Sequence, residues 1–232
     1  MNYEMNKRYF DLKKPGMKWP IIVIVVGVIL LLSMSGGGKL VGLLIAAAGV
    51  AWIVLSQKKY KESIVSDIQY DSEVAKNLEN IEERALNKLG VDKDEVSEIE
   101  PINISGFKYQ GCSRVKRGDD KFFRTDVYES VTLFFSQNEV HCYKLNYNTL
   151  EKKQTESTDV YFYQDIVSVS TASQETEVTD SITMEKETVN YESFDLRTAG
   201  GTSLSVAIRD QDQAQRSINA MRALLREKKT RN

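Results

Sequence analysis

The most concentrated apolar stretch of the chain lies between residues 18 and 58, where Lys39 is the only charged residue. It divides into two apolar arms, 19–33 and 40–55, on either side of the cluster Ser35-Gly36-Gly37-Gly38. Glycine clusters favour chain reversals over helix interiors. The pattern therefore predicts two apolar helices joined by a tight turn.

The length of the two arms bears on where they lie. Each arm has about 16 strongly apolar residues, which corresponds to roughly 24 Å of helix, whereas the core of a bilayer is about 30 Å thick. Flanking residues extend each arm, and Lys39 can snorkel to the interface. Because backbone groups in lipid have to be satisfied internally, helices are the expected form. Residues 19–56 are thus predicted to be a transmembrane helical hairpin in contact with membrane lipids.

The distribution of positive charge predicts the orientation of this hairpin. Basic residues precede the first arm and follow the second: Lys7, Arg8, Lys13, Lys14, Lys18, Lys58, Lys59 and Lys61. By the positive-inside rule, both ends are cytoplasmic and residues 1–18 form a basic cytoplasmic tail. Trp19 and Trp52 are expected to be interfacial anchors near the cytoplasmic ends of the arms. The protein is therefore predicted to be a multi-pass protein of the inner (plasma) membrane.

Three other interpretations of the apolar stretch were weighed. A signal peptide has one apolar core, so a second arm of this length argues against it. A buried soluble hairpin would need a polar face, which neither arm has. A single long helix would contain three consecutive glycines, each costing about 1 kcal/mol relative to alanine.

Small residues recur along the predicted hairpin. Gly42, Ala46 and Gly49 lie along one side of the second arm, and Gly27 lies on the first. Small residues at this spacing allow helices to approach closely in lipid. We expect them to pack the hairpin against itself, with oligomerisation through the membrane as the alternative.

Residues 57–96 follow a polar, acidic and helical pattern. Apolar residues recur at spacings of four, three, four and four, at Val74, Leu78, Ile81, Ala85 and Leu89. This spacing predicts an amphipathic helical connector whose apolar stripe packs on the following domain or on a second copy. Gly90 favours the end of that helix.

Beyond the connector, short runs rich in β-branched and aromatic residues alternate with turn residues, which is typical of an antiparallel sheet. A two-residue turn at Gln137-Asn138 would pair Phe135 with Val140. Leu133 would then face Cys142, so that one face of this hairpin is apolar.

The last part of the chain contains a second hairpin and a change of period. Residues 194–198 and 203–208 are predicted to pair, whereas 175–190 forms either a long loop or an irregular strand pair. The final segment has the period of a helix, and its apolar face consists of Ala214, Ile218, Met221 and Leu225.

Six or seven strands followed by one amphipathic helix is the plan of pleckstrin-homology (PH) domains. The runs that carry the likeness are 140–145, 161–166, 194–201 and 217–225. Residues 97–232 therefore resemble the bacterial PH-like domains, which often lie beside short transmembrane segments. The resemblance implies a mainly-β PH-like barrel capped by a C-terminal α-helix. Lipocalin-like or other small barrels also fit the pattern.

A basic segment lies between residues 106 and 124, near the start of this domain. Its cations are Lys108, Arg114, Lys116, Arg117, Lys121 and Arg124. The resemblance places it where eukaryotic PH domains often have a basic loop that binds phosphoinositide phosphates. Cations beside an anionic membrane surface contribute about 1 kcal/mol each. The segment is thus either a membrane-surface contact or an ordinary solvated loop, with Asp119 and Asp120 diluting its charge.

Residues suited to chemistry are sparse. His141 is the only histidine, and its neighbour Cys142 would point to the opposite face of a strand, which argues against a catalytic pair or a metal site. The two cysteines are expected to be reduced. No motif for phosphate-loop, metalloprotease or hydrolase chemistry occurs. The sequence predicts no catalytic residue, cofactor or metal ligand, and no small-molecule substrate is evident.

The expected function follows from the anchor and the β scaffold. We expect a non-enzymatic, membrane-anchored binding or assembly module that engages a protein partner or itself at the inner-membrane surface. A net charge of −2 does not indicate nucleic acid as a partner. The alternative is an oligomeric membrane effector or pore component with a cytoplasmic sensor domain.

Overall fold

The computed structural model describes residues 1–230 and divides into two compact units. One unit comprises residues 11–66, and the other combines Met1–Phe10 with the chain from Asp67 onward. The helices are α1 Tyr3–Asp11, α2 Lys18–Ser33, α3 Gly37–Ser63, α4 Asp67–Lys76, α5 Ile81–Leu89 and α6 Gln211–Thr230, and a 3-10 turn spans Lys93–Val96.

The first unit is a helical hairpin made of α2 and α3. Met34 ends the regular part of α2, and α3 begins at Gly37 after the left-handed Gly36, whose φ is +61°. The glycine cluster therefore reverses the chain, as predicted. Gly27 on α2 lies against Ala46 on α3, so the two helices pack side by side.

The two helices of this hairpin differ in whether they are long enough to cross a membrane. Within residues 1–230, a single helical run, which begins at Gly37, is both long and apolar enough to cross a membrane. Helix α2 is apolar but has 16 residues, which is short of a full span. By length and composition the described residues thus contain one candidate spanning helix, where the sequence pattern predicted two.

The second unit is built mainly from strands. They are β1 Ile102–Phe107, β2 Val115–Arg117, β3 Phe123–Thr125, β4 Val127–Phe135, β5 Glu139–Asn148, β6 Gln154–Phe162, β7 Ile166–Thr179, β8 Lys186–Thr198 and β9 Ser203–Ile208. They form a four-stranded sheet in the order β1-β4-β5-β6, a two-stranded sheet β2-β3, and a three-stranded sheet β7-β8-β9. All of the pairings are antiparallel.

Both predicted hairpins are confirmed. Phe135 pairs with Val140 and Leu133 with Cys142, and all four side chains are buried. In the second hairpin, β8 and β9 pair from Arg197 and Ser203 onward. The segment 175–190, for which a loop was the other interpretation, is instead the tip of the long β7–β8 hairpin.

The connector is not one continuous helix. Helix α3 ends at Ser63, and a turn that includes Asn80, with φ of +57°, separates α4 from α5. The apolar stripe is still used, because Val74, Ile81 and Ala85 are buried. Helix α5 packs on β4 and β5, so the stripe serves the following domain as expected.

Residues 1–10, which the sequence analysis treated as the start of a basic tail, are part of the β unit. Tyr9 of α1 stacks on Tyr70 of α4 with ring centroids 4.3 Å apart, and Phe10 packs edge-on against the same ring. Both N-terminal rings are almost completely buried. These aromatic contacts pack residues 1–10 onto the β unit, which a flexible tail would not do.

The two larger sheets face each other across the main core but do not close into a barrel. Sheet β1-β4-β5-β6 and sheet β7-β8-β9 remain separate, and the predicted closed barrel is corrected to two open sheets. Helix α6 covers the core with Ala214, Ile218, Met221 and Leu225, as predicted.

Candidate binding surface

The basic segment between β1 and β4 is folded onto the β7–β8 hairpin. Val115 of β2 forms a small core with Val178 and Val189 from the two long strands. The backbone N–H of Ser181 donates to the carbonyl of Val115 at 2.7 Å, and the N–H of Arg117 donates to Asp180 Oδ2 at 3.0 Å. The segment is therefore a packed part of the fold.

Arg124 is the centre of a buried ion network. Its side chain is 5 % exposed and donates to both oxygens of Asp71, at 2.9 and 2.8 Å, and to both oxygens of Asp120, at 2.9 and 2.7 Å. The hydrogen bonds from Arg124 lower the pKa of Asp120 to about 2. The network ties α4 to the β2–β3 turn, so Arg124 is unavailable to lipid headgroups.

Lys116 is engaged by an aromatic ring. Its Nζ lies 3.7 Å from the centroid of the Tyr9 ring, a cation–π geometry. Burial lowers the pKa of Lys116. The Tyr9 hydroxyl donates to Asp67 Oδ1 at 2.6 Å, and burial together with this bond raises the pKa of Tyr9. The contact between Lys116 and the Tyr9 ring thus links the basic segment to α1.

The other predicted cations are spread over different surfaces. Arg117 pairs with Glu187 of β8 at 2.9 Å. Arg114 and Lys121 are exposed, with Lys121 in a left-handed turn at φ of +71°. Lys108 lines a cleft between the two larger sheets. The six residues therefore do not form one continuous basic patch.

The cleft that contains Lys108 has a volume of about 280 Å³ and a polar lining. Glu129 of β4 is buried in it, accepts a hydrogen bond from the N–H of Ala207 at 2.9 Å, and lies 3.5 Å from Lys144 Nζ. Lys144 also donates to the carbonyl of Ser205 at 3.0 Å. These polar contacts join the two larger sheets across the cleft.

A larger groove of about 740 Å³ lies beside the β2–β3 turn and the start of α6. Its walls combine aromatic rings with carboxylates, among them Tyr109, Phe122, Tyr191, Glu192 and Asp212. Phe122 is 71 % exposed although it is a large apolar side chain. Arg124 and Arg209 also line the groove, so its walls carry charges of both signs.

The residues considered for catalysis are placed apart from one another. Cys142 lies in the main core, whereas His141 faces the other way and sits 3.3 Å from Glu139. Burial raises the pKa of Cys112 to about 11 and that of Cys142 to about 12, so neither thiol is a thiolate at neutral pH. Across residues 1–230, no group of three or more metal-ligating side chains comes together.

The small residues of the hairpin pack α2 against α3 of the same chain. A Cβ added to Gly27 would lie 2.5 Å from Ala46 N, and one added to Gly42 would lie 2.5 Å from Leu31 N. One added to Gly49 would lie 3.1 Å from the carbonyl oxygen of Pro20. These contacts correspond to the expectation that the small residues pack the hairpin against itself. Trp19 and Trp52 are exposed, at 72 % and 51 %.

Two important residues, Glu129 and Tyr9, are not marked as site or core residues by the sequence pattern. Glu129 interrupts the apolar strand 127–135, and a charged residue at a core-facing position was a usable signal. Tyr9 lies in a short basic N-terminal segment, where no periodicity marked it as a core residue.

No family model matches the chain, and no curated protein matches it.

Proposed function

We propose that this protein is a membrane-anchored, non-enzymatic binding and assembly module with a PH-like domain at the cytoplasmic face of the inner membrane. The helical hairpin anchors the chain, and the β unit engages a protein partner or a second copy.

The observation that carries this proposal is the contact between Tyr9 and Tyr70. Tyr9 precedes the hairpin and Tyr70 follows it, yet their rings stack at 4.3 Å in one folded unit. If α3 alone crossed the bilayer, these residues would be separated by about 30 Å of hydrocarbon. If α3 is inserted in the membrane, Tyr9 and Tyr70 can lie on the same side only when the chain crosses an even number of times. Helix α2 supplies the second crossing.

The surface of the hairpin also favours lipid. Its buried positions are mostly glycines, whereas large apolar side chains point outward all round. The exposed side chains include Ile21, Ile22, Val25, Ile29, Leu32, Leu40, Leu43, Leu44, Val54 and Leu55. A contiguous apolar surface of this kind is unfavourable in water and is typical of a membrane-embedded helix pair.

The plan of the β unit supports the PH-like assignment. Four antiparallel strands, β1, β4, β5 and β6, are followed by three more, β7 to β9, and then by the covering helix α6. The hairpin β2–β3 is an insertion between the first two strands of this plan. A PH-like scaffold suits binding rather than a particular chemistry, so function rests on its surfaces.

A binding role is supported by the groove beside Phe122 and by the character of the titratable groups. The groove offers exposed aromatic surface, which is enriched at protein interfaces. The carboxylates of the Arg124 network are engaged in ion pairs. The thiols have raised pKa values, which disfavours nucleophilic catalysis.

Topology is tested by thiol labelling in intact cells. In a Cys112→Ser background, Ser35→Cys places a thiol in the hairpin turn and Lys14→Cys places one before α2. We expect a membrane-impermeant maleimide to label Ser35→Cys in intact cells, and Lys14→Cys only after permeabilisation. If both positions require permeabilisation, the hairpin does not cross the membrane.

The partner is tested by native mass spectrometry after gentle extraction of the full chain. A homo-oligomer or a stoichiometric foreign subunit supports the proposal, and a monomer contradicts it. A turnover by the purified protein that a point mutation abolishes would replace the binding role with an enzymatic one.

A further inference from the structure

The outer edge of β6 has no neighbouring strand among the residues that the structure describes. β6 ends the four-stranded sheet, and its pairing with β5 is continuous from Gln154 to Phe162 without a register shift. Most side chains of the strand are exposed.

The hydrogen bonds at the two ends of β6 show which of its residues face that edge. The N–H of Asn148 donates to the carbonyl of Lys153 at 2.8 Å, and the N–H of Tyr163 donates to the carbonyl of Asn138 at 3.2 Å. Antiparallel strands exchange hydrogen bonds at alternate residues, so the odd-numbered residues of β6 bond to β5. The residues that direct their backbone groups outward are Gln154, Glu156, Thr158, Val160 and Phe162.

The β6 edge has only part of the usual protection against pairing, namely the charged residues Glu156 and Asp159. Soluble edge strands are blunted by proline, lysine, bulges or a covering element. The neighbouring strand β7 shows such cover, because Arg222 donates to the carbonyl of Val169 at 3.0 Å and Lys229 to that of Ile166. β6 contains neither proline nor lysine, and Val160 and Phe162 are 48 % and 54 % exposed.

We propose that β6 is the assembly surface of this protein, and that it pairs antiparallel with β6 of a second copy across a two-fold axis at Thr158. The pairing would join two four-stranded sheets into one continuous sheet. This inference rests on the proposed function and names a second copy as the partner of the β unit.

The distribution of charge along β6 favours a second copy in this register. Thr158 is the midpoint of the strand, so a two-fold axis there gives overlap along its whole length. Glu156 then lies opposite Val160, and Asp159 lies opposite Ser157. An axis at Glu156 or at Asp159 would instead place like charges directly opposite each other, which is destabilising.

The charge of Glu156 is also compensated within its own chain. Arg84 and Lys88 of α5 both pair with this carboxylate. The approach of a second copy therefore does not leave the Glu156 carboxylate without a cationic partner.

Membrane anchoring strengthens an edge contact of this size. A single strand pair is a modest interface on its own, but tethering converts association into an event at high effective concentration. The pairing is therefore tested in membranes with the full chain.

The test is oxidative cross-linking of Thr158→Cys in a Cys112→Ser background. Residues directly opposite in a hydrogen-bonded antiparallel pair have Cα atoms about 5.5 Å apart, within the range that a disulfide spans. We expect a shift to twice the monomer mass, reversed by a reducing agent. The matched control is Thr155→Cys on the same strand, which in this register lies about 20 Å from its counterpart.

A second variant tests the hydrogen bonds themselves. Val160→Pro removes an outward N–H and leaves the bonds from β6 to β5 intact, so cross-linking of Thr158→Cys should fall while the circular dichroism stays unchanged. Equal cross-linking at positions 155 and 158, or none at either, would overturn the proposal. A benzophenone at position 158 that captures a different protein in place of this chain would also overturn it.

The outcomes separate this inference from the proposed function. Labelling of Ser35→Cys in intact cells together with absent cross-linking leaves the membrane module standing and removes the β6 pairing. If Thr158→Cys cross-links but Ser35→Cys is not labelled in intact cells, the β6 pairing stands and the membrane anchor is rejected.

Discussion

Glu129 accepts a hydrogen bond from the backbone N–H of Ala207 at 2.9 Å, which places a carboxylate of one sheet on a strand of the other. Gly106 of β1 pairs with Glu129 of β4, and its backbone lies directly against Ala207 of β9. Strands β1 and β9 approach here, and the backbone N–H of Arg209, directly after β9, donates to the carbonyl of Ser105 of β1 at 3.0 Å. The sheets thus meet here through one side-chain bond and one backbone bond, without a continuous ladder between β1 and β9.

Replacing Glu129 by alanine should destabilise the β unit. The N–H of Ala207 is buried and would lose its acceptor, which costs about 1–3 kcal/mol. Glu129→Gln keeps an acceptor for this N–H and should cost less. Chemical unfolding of the full chain in detergent measures both, with the exposed Glu151→Ala as the control. Equal stabilities of Glu129→Ala and Glu151→Ala would show that the bond contributes nothing.

Gly106→Ala should also destabilise the meeting of the sheets. A Cβ at this position would lie 2.7 Å from the carbonyl carbon of Ala207, so β1 and β9 would have to separate. The expected loss is about 1–3 kcal/mol, as for other overpacked sites. In Gly200→Ala, the nearest described atom lies 4.0 Å from the new Cβ, and unfolding curves should therefore distinguish the two variants. A Gly106→Ala protein as stable as the wild type would mean that the strands can move apart freely.

Asp120 should make the fold sensitive to acid. Hydrogen bonds from Arg124 lower the pKa of Asp120 from 3.8 to about 2 in the folded state. A lowered folded-state pKa stabilises the protein above the unfolded value, and this contribution is lost as the pH falls from about 4 towards 2. Asp120→Asn should lower the melting temperature at pH 7 and have progressively less effect across that window. A difference that stays constant from pH 6 to pH 2 would contradict the assignment.

Gly42→Ala should loosen the helical hairpin. The added Cβ would lie 2.5 Å from Leu31 N and 2.9 Å from Leu31 Cα, which α2 can accommodate only by moving away. We expect a loss of about 1–3 kcal/mol, measured as thermal unfolding of the full chain in detergent. Gly37→Ala is the matched control, since no described atom lies within 4 Å of its new Cβ. If both substitutions have the same effect, α2 and α3 do not depend on close contact.

Local patterns determined much of this fold. The apolar arms and their glycine turn, the 135–140 hairpin, the 194–208 hairpin and the C-terminal helix all follow from periodicity and turn chemistry. Each of these features depends on neighbours close in sequence, where period and turn type restrict the register. Their prediction required no knowledge of distant contacts.

The connector and the N-terminal segment show where local patterns are insufficient. The spacing from Val74 to Leu89 fits one helix, but the left-handed Asn80 divides it. Helix α5 packs on β4 and β5, whereas α4 accepts a hydrogen bond from Tyr147 of β5 at the Val74 carbonyl. Tyr9 is buried only because it stacks on the ring of Tyr70, which is far away in sequence. Burial created by long-range contacts is not encoded in a local period.

The candidate site shows the same division. The sequence by itself identified the cations from Lys108 to Arg124, the small residues of the hairpin and the two hairpins 131–145 and 194–208. Only the tertiary structure decided that Arg124 is enclosed by Asp71 and Asp120, that Lys116 lies over Tyr9, and that the edge of β6 stays open. Whether a charge or a strand edge is available depends on what long-range folding places beside it, and a one-dimensional pattern contains no such distances.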